Sequence, residues 1–401
     1  MNDDSRVAIV GASLAGLRTA EFLRRGGFEG TISLVGEEPH RPYDRPPLSK
    51  QILRGEWEAD RLELRRRSYD DLKLDLRLGQ RAVKLDAVAR QVSLESGDVV
   101  EYDKLVIATG GRVRCLPNQP TLEGLFTLRT VDDALAIRAA LGRARRVVVV
   151  GAGFIGAEVA ASARQLGLEV SMVELLPAPM AHSLGTRIGS VLAQMHEREG
   201  VQVLCGHAVT AFEGRGSLEA VRLDDGSVLP CDVAVVGIGV EPVVDWLEGS
   251  GLELADGVRC DATCEASVGG VYAVGDVASW YNPLFEEQMR VEHWTHAVEQ
   301  ARYVAGVLTT NPEEAQPFES VPMFWSDQYD LKIQGVGRPR STDEVLVTGG
   351  AEGQDKFVAL YERSGRLVGA VAFNLPPKII ALRNLIANRG NLEDGIQIAE
   401  S

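Results

Sequence analysis

Cysteine is scarce in this chain and poorly placed for redox or metal pairing. Five are present, at positions 115, 205, 231, 260 and 264, and none forms a C-x-x-C pair; Cys260 and Cys264 stand four apart with no companion pair. This excludes the common zinc and dithiol motifs and leaves free thiols in a reducing cytosol as the expectation. The six histidines are scattered without H-E-x-x-H or comparable spacing, so no metal site is expected. His293 and His296 read as packing histidines rather than catalytic bases. Basic charge is in deficit, 42 Lys and Arg against 57 Asp and Glu for a net charge of −15, which argues against nucleic acid or an anionic membrane as the main partner. The longest apolar stretch is broken by Glu158, so no transmembrane helix is expected. Met1-Asn2-Asp3-Asp4-Ser5-Arg6 lacks the basic and apolar regions of a signal peptide, and a cytoplasmic location is expected.

What the chain does have is two glycine-rich turns 140 residues apart, each between a strand-like and a helix-like run. Gly11-Ala12-Ser13-Leu14-Ala15-Gly16 follows Arg6-Val7-Ala8-Ile9-Val10, and Gly151-Ala152-Gly153-Phe154-Ile155-Gly156 follows Arg146-Val147-Val148-Val149-Val150. In such a turn the first glycine permits the tight strand-to-helix bend, the second lets backbone approach a pyrophosphate, and the third lets helix pack on strand. The helix N-terminus then offers N–H groups and a positive dipole end to phosphates. An acid about 20 residues on accepts from ribose hydroxyls. Glu37 lies 21 residues after Gly16 and Glu174 lies 18 after Gly156, each expected to end the following strand. The first turn departs from the pattern at Ser13; the second is complete. A carboxylate at Glu174 would repel a 2′-phosphate, and no basic residue immediately follows it, so NADH is expected over NADPH.

The order of elements predicts an α/β protein of two Rossmann-like dinucleotide-binding domains plus a C-terminal α+β domain. Thr31–Val35, Tyr102–Gly110, Val233–Gly239 and Val271–Asp276 read as buried parallel strands. The last resembles the strands of the first unit, which makes that domain discontinuous. The expected boundaries are 1–110 and 241–320 for the first dinucleotide-binding domain, 111–240 for the second and 321–401 for the C-terminal domain. Thr130-Val131-Asp132-Asp133 has the form of a capping box, and Asp224-Asp225-Gly226-Ser227 that of a hairpin turn. Beyond Val321 the pattern shifts to alternating strands, 356–362 and 367–374, with a closing helix after Pro376-Pro377.

With these residues in place, the chain resembles the FAD-dependent, NADH-using ferredoxin reductases that serve bacterial oxygenases and cytochrome P-450 systems, within the glutathione-reductase-like flavoproteins. The resemblance runs from Arg6 to the C-terminal helix. Its narrowest stretches are Pro42-Tyr43-Asp44-Arg45-Pro46-Pro47-Leu48-Ser49-Lys50 and Phe324-Trp325-Ser326-Asp327-Gln328-Tyr329-Asp330; broader ones are Val106-Ile107-Ala108-Thr109-Gly110, Tyr272-Ala273-Val274-Gly275-Asp276-Val277-Ala278 and Arg290-Val291-Glu292-His293-Trp294.

The resemblance implies site residues. The N-terminal turn with Ala15 and Glu37 would hold the FAD adenosine and pyrophosphate, and Val83 would lie at the adenine end. Arg45, Lys50 and Arg129 match flavin-site positions, Asp276 the acid for the ribityl chain, Trp294 a position at the pyrimidine edge. Glu158 matches the acid that orients the nicotinamide carboxamide, and Trp325 would reach towards the isoalloxazine. Thr109, Gly110, Ile155, Gly239 and Gly275 are further cofactor-binding positions. Lys50 and Glu158 are the catalytic candidates: a lysine near the flavin would stabilise negative charge arising on reduction, and it is more credible in a buried place if Glu158 pairs with it.

Many relatives with this double fold carry a redox cysteine near the segment Arg41–Lys50, whereas no cysteine here precedes Cys115. Thiol exchange needs a thiolate beside the flavin, so flavin-only chemistry remains. The family implies an iron–sulfur ferredoxin as acceptor, of 2Fe–2S type or else 3Fe–4S or 4Fe–4S, and members occur as monomers and dimers. Docking to an acidic ferredoxin would use local cations, with Arg65-Arg66-Arg67, Arg290, Lys332 and Arg338–Arg340 as candidates. Alternative readings are a rubredoxin reductase, a reductase of a quinone or dehydroascorbyl radical, and an apoptosis-inducing-factor-like redox sensor. The last usually brings targeting segments and long insertions in the third domain, neither of which is evident.

Overall fold

The computed structural model describes residues 5–65, 68–310, 314–350, 354 and 356–401. Among them are seven α-helices: α1 (Leu14–Arg25), α2 (Val131–Leu141), α3 (Phe154–Gln165), α4 (Ala181–Arg198, interrupted at Gly185), α5 (Trp294–Thr309), α6 (Pro376–Ala387) and α7 (Leu392–Glu400). None among the described residues is long and apolar enough to cross a membrane. The chain forms two compact units, each assembled from separated segments: 1–44, 63–112 and 241–322 in the first, 45–62, 113–240 and 323–401 in the second.

The first unit is built on a five-stranded parallel sheet in the spatial order Val271–Ala273, Lys104–Ile107, Arg6–Val10, Thr31–Val35, Leu74–Arg77. Its strands are continuous apolar runs because both faces are covered. Val7, Ala8, Ile9, Leu34, Val106, Ile107 and Tyr272 are all buried in one core with Ala20 and Leu23 of α1 and Val304 and Leu308 of α5. The late strand Val271–Ala273 pairs with Lys104–Ile107, so the first sheet is completed by residues far down the chain.

The second unit repeats the plan, with parallel strands in the order Val201–Cys205, Glu169–Glu174, Arg146–Val150, Val233–Val236, Leu125–Thr127. The capping box before α2 is present: the Asp133 N–H donates to Thr130 Oγ1 (3.1 Å) and the Thr130 N–H to Asp133 Oδ2 (2.8 Å). The hairpin at Asp224–Ser227 also forms, between Leu218–Leu223 and Val228–Pro230.

The same unit includes a five-stranded antiparallel sheet ordered Met323–Gln328, Leu331–Gly337, Arg366–Phe373, Phe357–Arg363, Glu344–Thr348. Its face, with Ile333, Phe357, Tyr361 and Phe373, shares a core with Ala157 of α3 and with Leu184, Ile188 and Leu192 of α4. The closing segment differs from expectation in two ways. α6 begins at Pro376 itself, because proline at the first helical positions forgoes no intrahelical hydrogen bond, and α7 follows it, capped by Asn391, whose side chain accepts from the Asp394 N–H.

Candidate functional site

Both parallel sheets reverse strand order beside their first strand, and the glycine turns sit at the carboxyl ends there, where open α/β sheets bind ligands. Gly11 (φ 119°) and Gly151 (φ 97°) adopt conformations that L side chains avoid. A Cβ on Gly11 would stand 2.0 Å from the Ala108 carbonyl oxygen, and one on Gly151 2.4 Å from that of Gly237. A Cβ on Gly16 or Gly156 would stand 1.9 or 2.0 Å from the carbonyl oxygen of its own first glycine. The middle position is different. Ser13 (φ −117°) and Gly153 (φ −72°) both have extended backbone that any residue adopts, and a Cβ on Gly153 would meet nothing within 4 Å. Serine at position 13 therefore costs the turn nothing. Ser13 makes no side-chain cap, and neither α1 nor α3 has an acid in its first turn, so no side chain there competes for the first-turn N–H groups. Each turn thus fits a pyrophosphate.

The two acids are not equivalent. The Gly11 N–H donates to Val35 O and the Gly151 N–H to Val173 O, each at 2.8 Å, which matches Val35 with Val173. The next residue is Gly36 in the first unit and Glu174 in the second. A Cβ on Gly36 would lie 2.5 Å from that of Ala12, so the close packing there admits no side chain. The first strand pair ends at Val35, and Glu37, expected to end the strand, lies two residues beyond it and is exposed. Glu174 is the last strand residue, as expected, and its carboxylate is held: Oε2 accepts from the Ala152 N–H (2.6 Å) and Oε1 from the Leu176 N–H (2.9 Å).

In the first unit, the short turn Gly275–Val277 is brought onto the start of α1: a Cβ on Gly275 would lie 3.1 Å from that of Ala15. The Gly275 N–H donates to Gln300 Oε1 (2.8 Å), and Gln300 Nε2 donates to Cys264 Sγ (3.3 Å), both buried. Burial pushes the Cys264 thiol up to about 12, so it acts as a packed acceptor, not a nucleophile. Asp276 follows Gly275, and its carbonyl accepts from Arg290 Nη1 (3.2 Å). Trp294, first residue of α5, donates from Nε1 to Asp44 Oδ1 (2.7 Å). Thr109 Oγ1 donates to Val243 O (2.8 Å), and the Gly110 carbonyl accepts from the Val243 N–H (3.0 Å). Val83 is 41% exposed on the strand Ala82–Asp86 of a separate three-stranded sheet. His296 is stacked on Trp280, ring centroids 4.4 Å apart, with Phe318 also against it.

In the second unit, Lys50 and Glu158 pair as the sequence anticipates. Nζ lies 2.7 Å from Glu158 Oε2, with both residues buried. The prolines at 46 and 47 lead into a wide π-type turn over Leu48–Ile52, whose Ile52 N–H reaches Pro47 O (3.1 Å). That turn presents Ser49 and Lys50 together to α3. Glu158 and Ser162, four apart on one face of α3, both grip it: Ser49 Oγ donates to Glu158 Oε2 (2.5 Å) and Ser162 Oγ to Ser49 O (2.7 Å). Ser326 Oγ donates to the other oxygen, Glu158 Oε1 (2.7 Å). A buried pair of this kind is held by geometry; removing one partner strands the other at a cost of about 3–5 kcal/mol.

Arg45 Nη1 donates to Arg129 O (2.6 Å), and the Arg129 N–H donates to Asp133 of the capping box (3.0 Å), so the two arginines are placed by the start of α2. Ile155, second residue of α3, is 46% exposed, Gly239 has φ 98°, and Trp325 is half-buried on the strand Met323–Gln328. The cationic docking candidates need correction. Arg65 is committed to Glu21 (2.7 Å) and Asp71 with its side chain 9% exposed, and Arg290 to Asp256 (2.9 Å) and Glu292 (2.7 Å); Arg66 and Arg67 lie outside the described residues. Lys332 and Arg340 remain as exposed cations. Sequence reasoning missed Ser49, Ser162, Gln300, Ser326, Gln328 and His196 as parts of these arrangements. Ser49, Ser326 and Gln328 carried a signal, as polar residues inside the two narrow motifs, the last two at alternate positions of a strand.

Compared with known proteins, residues 5–301 match the family model "Pyridine nucleotide-disulphide oxidoreductase" and residues 323–399 the model "Reductase C-terminal". The chain is 36% identical over 386 residues to rhodocoxin reductase of Rhodococcus erythropolis, covering 95% of this chain and 89% of that one. It is 38% identical over 398 residues to the anthranilate 1,2-dioxygenase system ferredoxin–NAD(+) reductase component of Burkholderia cepacia, covering 98% and 96%. Among solved structures, the covalent putidaredoxin reductase–putidaredoxin complex contains a chain that matches with a TM-score of 0.93 at 32% identity, covering 97% of this chain and 94% of that one.

Proposed function

The chain belongs to the pyridine nucleotide-disulphide oxidoreductase family, and on that premise we propose that it oxidises NADH with a bound FAD and delivers single electrons to a ferredoxin serving a monooxygenase or dioxygenase. The observation that carries this reading is the pair of pyrophosphate-fitting turns in a chain with no cysteine before Cys115: two dinucleotides can be held, and the segment Arg41–Lys50 offers no thiol. Bound FAD supplies a two-electron acceptor that can release its electrons singly.

The chain's own residues hold and orient. The turn from Gly11 to Gly16 and the N-terminus of α1 take the FAD pyrophosphate, and Asp276, next to the Gly275 that packs on Ala15, takes the ribityl chain. The turn from Gly151 to Gly156 takes the NADH pyrophosphate, and Glu174, already held by two backbone N–H groups, accepts from ribose hydroxyls and disfavours a 2′-phosphate. Lys50 places a positive charge where reduction builds negative charge, and Glu158 pairs with it. Glu158 accepts three hydrogen bonds, two on Oε2 and one on Oε1, and one lone-pair position on Oε1 is left to orient the nicotinamide carboxamide.

The acceptor follows from the ferredoxin reductases among the relatives, with a 2Fe–2S ferredoxin as the simplest choice. Lys332 and Arg340 supply local positive charge on an otherwise acidic chain. A cytoplasmic setting is part of this reading, consistent with five free cysteines. The test is purified protein with a flavin spectrum that bleaches on anaerobic addition of NADH, and cytochrome c reduction that depends on added ferredoxin. Full-rate reduction without ferredoxin would remove the protein acceptor; no bleaching would remove the NADH oxidase half of the reaction.

A further inference from the structure

A buried line of polar side chains runs from Glu158 through the antiparallel sheet to α4. Ser326 Oγ lies 2.7 Å from Glu158 Oε1, Gln328 Nε2 lies 3.1 Å from Ser326 Oγ, His196 Nε2 lies 3.0 Å from Gln328 Oε1, and Tyr329 Oη lies 3.0 Å from His196 Nδ1. Ser326, Gln328 and His196 are each 0% exposed and Glu158 is 3% exposed. Strand alternation places Ser326 and Gln328 on one face, so the two reach inward together.

The chemistry gives this line a single direction. An ionised Glu158 only accepts, so the one hydroxyl proton of Ser326 is spent on it. Ser326 Oγ must then accept from Gln328 Nε2, which turns Gln328 Oε1 towards His196. An amide oxygen only accepts, so His196 carries its proton on Nε2, and its bare Nδ1 accepts from the Tyr329 hydroxyl. Flipping the Gln328 amide would face its oxygen to a hydroxyl whose proton is already given to Glu158. Four donors therefore point in sequence at Glu158 Oε1, the oxygen with the unclaimed lone pair.

We infer that Ser326, Gln328 and His196 are positioning residues that fix the direction in which Glu158 Oε1 accepts, and thereby select for the amide group of the nicotinamide. The inference rests on the reading of Glu158 as the acid that orients the carboxamide. The narrow motif Phe324–Asp330 then has a task in its inward residues that is distinct from that of Trp325.

The test uses the flavin-loaded protein and two hydride donors: NADH, and the reduced 3-acetylpyridine analogue, which has a methyl ketone in place of the amide and so nothing to donate. The readout is the ratio of the flavin-reduction rate constants per Kd for the two donors, by anaerobic stopped flow. Ser326→Ala, a small change that leaves little void, is expected to lower the ratio about tenfold, as loss of a hydrogen bond to a charged group implies. Gln328→Met is expected to lower it less, with flavin content and melting temperature measured alongside for both. A ratio unchanged in both variants while Glu158→Gln collapses it would overturn the inference and leave the role of Glu158 standing. A ratio unchanged in Glu158→Gln as well would overturn the role of Glu158 itself, and this inference with it.

Discussion

The two glycine turns obey one backbone plan in different surroundings. The steric demands at Gly11 and Gly16 recur almost to a tenth of an ångström or a few tenths at Gly151 and Gly156. What differs is what surrounds them. The first turn is closed over by Gly275 against Ala15, and its post-strand position is a glycine packed on Ala12. The second leaves Gly153 and Ile155 exposed and sets a pre-oriented carboxylate at Glu174. Under the proposed function, the first cradle retains FAD and the second selects and releases NADH. Pattern completeness is a poor guide to that distinction, because the middle glycine, the point where the two motifs differ, is required by neither backbone.

The largest effect that probes this contrast is at the third glycines. Gly16→Ala is expected to abolish stable FAD incorporation and to lower stability by about 3 kcal/mol, since the new methyl group meets backbone. Gly156→Ala is expected to cost similar stability yet retain flavin while weakening NADH binding. Absorbance spectra, thermal melts and NADH titrations compare the two, and equal loss of flavin in both would break the contrast. The second unit also carries a proton debt at His196, whose imidazole burial pushes down to about 4. The folded protein binds fewer protons there than the unfolded chain, so stability is lost as pH falls below about 6.5 and levels off below about 4, in total about 3 kcal/mol. Urea melts from pH 7 to 4 should show this slope in the native protein and lose it in His196→Gln.

A smaller effect is expected at Glu174. Glu174→Ala should cut the NADH-over-NADPH preference roughly tenfold, about 1.4 kcal/mol, with the flavin spectrum untouched. A preference that persists would transfer cofactor choice elsewhere. Smallest of all, Ser13→Gly should change stability and FAD retention by only a few tenths of a kcal/mol, because serine there makes no cap and has unstrained backbone. Gly153→Ser is its mirror: nearly silent in a melt, where its Cβ meets nothing, but expected to raise the KM for NADH several-fold by filling the space above the turn.

The parts of the fold visible in the sequence are those governed by neighbours along the chain. Both glycine turns, the Thr130–Asp133 capping box, the hairpin at Asp224–Ser227 and the Val-rich strands each depend on residues a few positions apart. Lys50 and Glu158 were legible through the family resemblance, and the cost of an unpaired buried ammonium made their pairing the credible arrangement. Glu37 stands two residues past its strand rather than at its end, because spacing fixes a residue to within one or two positions, while strand register decides whether Glu or Gly follows the last paired valine. Arg65 and Arg290 looked available because charge in a sequence carries no sign of its partners; Glu21, Asp71 and Asp256 are supplied by tertiary packing. His196 had no signal at all. It lies 130 residues from Ser326, in an amphipathic helix where a histidine ordinarily faces water.

The first sheet's reliance on Val271–Ala273 also sets an order of events during synthesis. The parallel sheet of the second unit has its last strand, Val233–Val236, in hand before that of the first unit has been translated. At about 5–20 residues per second, the interval is roughly 2–8 s. During it Ala15 has been made without the Gly275 turn that packs on it, so, under the proposed function, capture of FAD by the Gly11 turn waits for the later part of the chain to leave the ribosome.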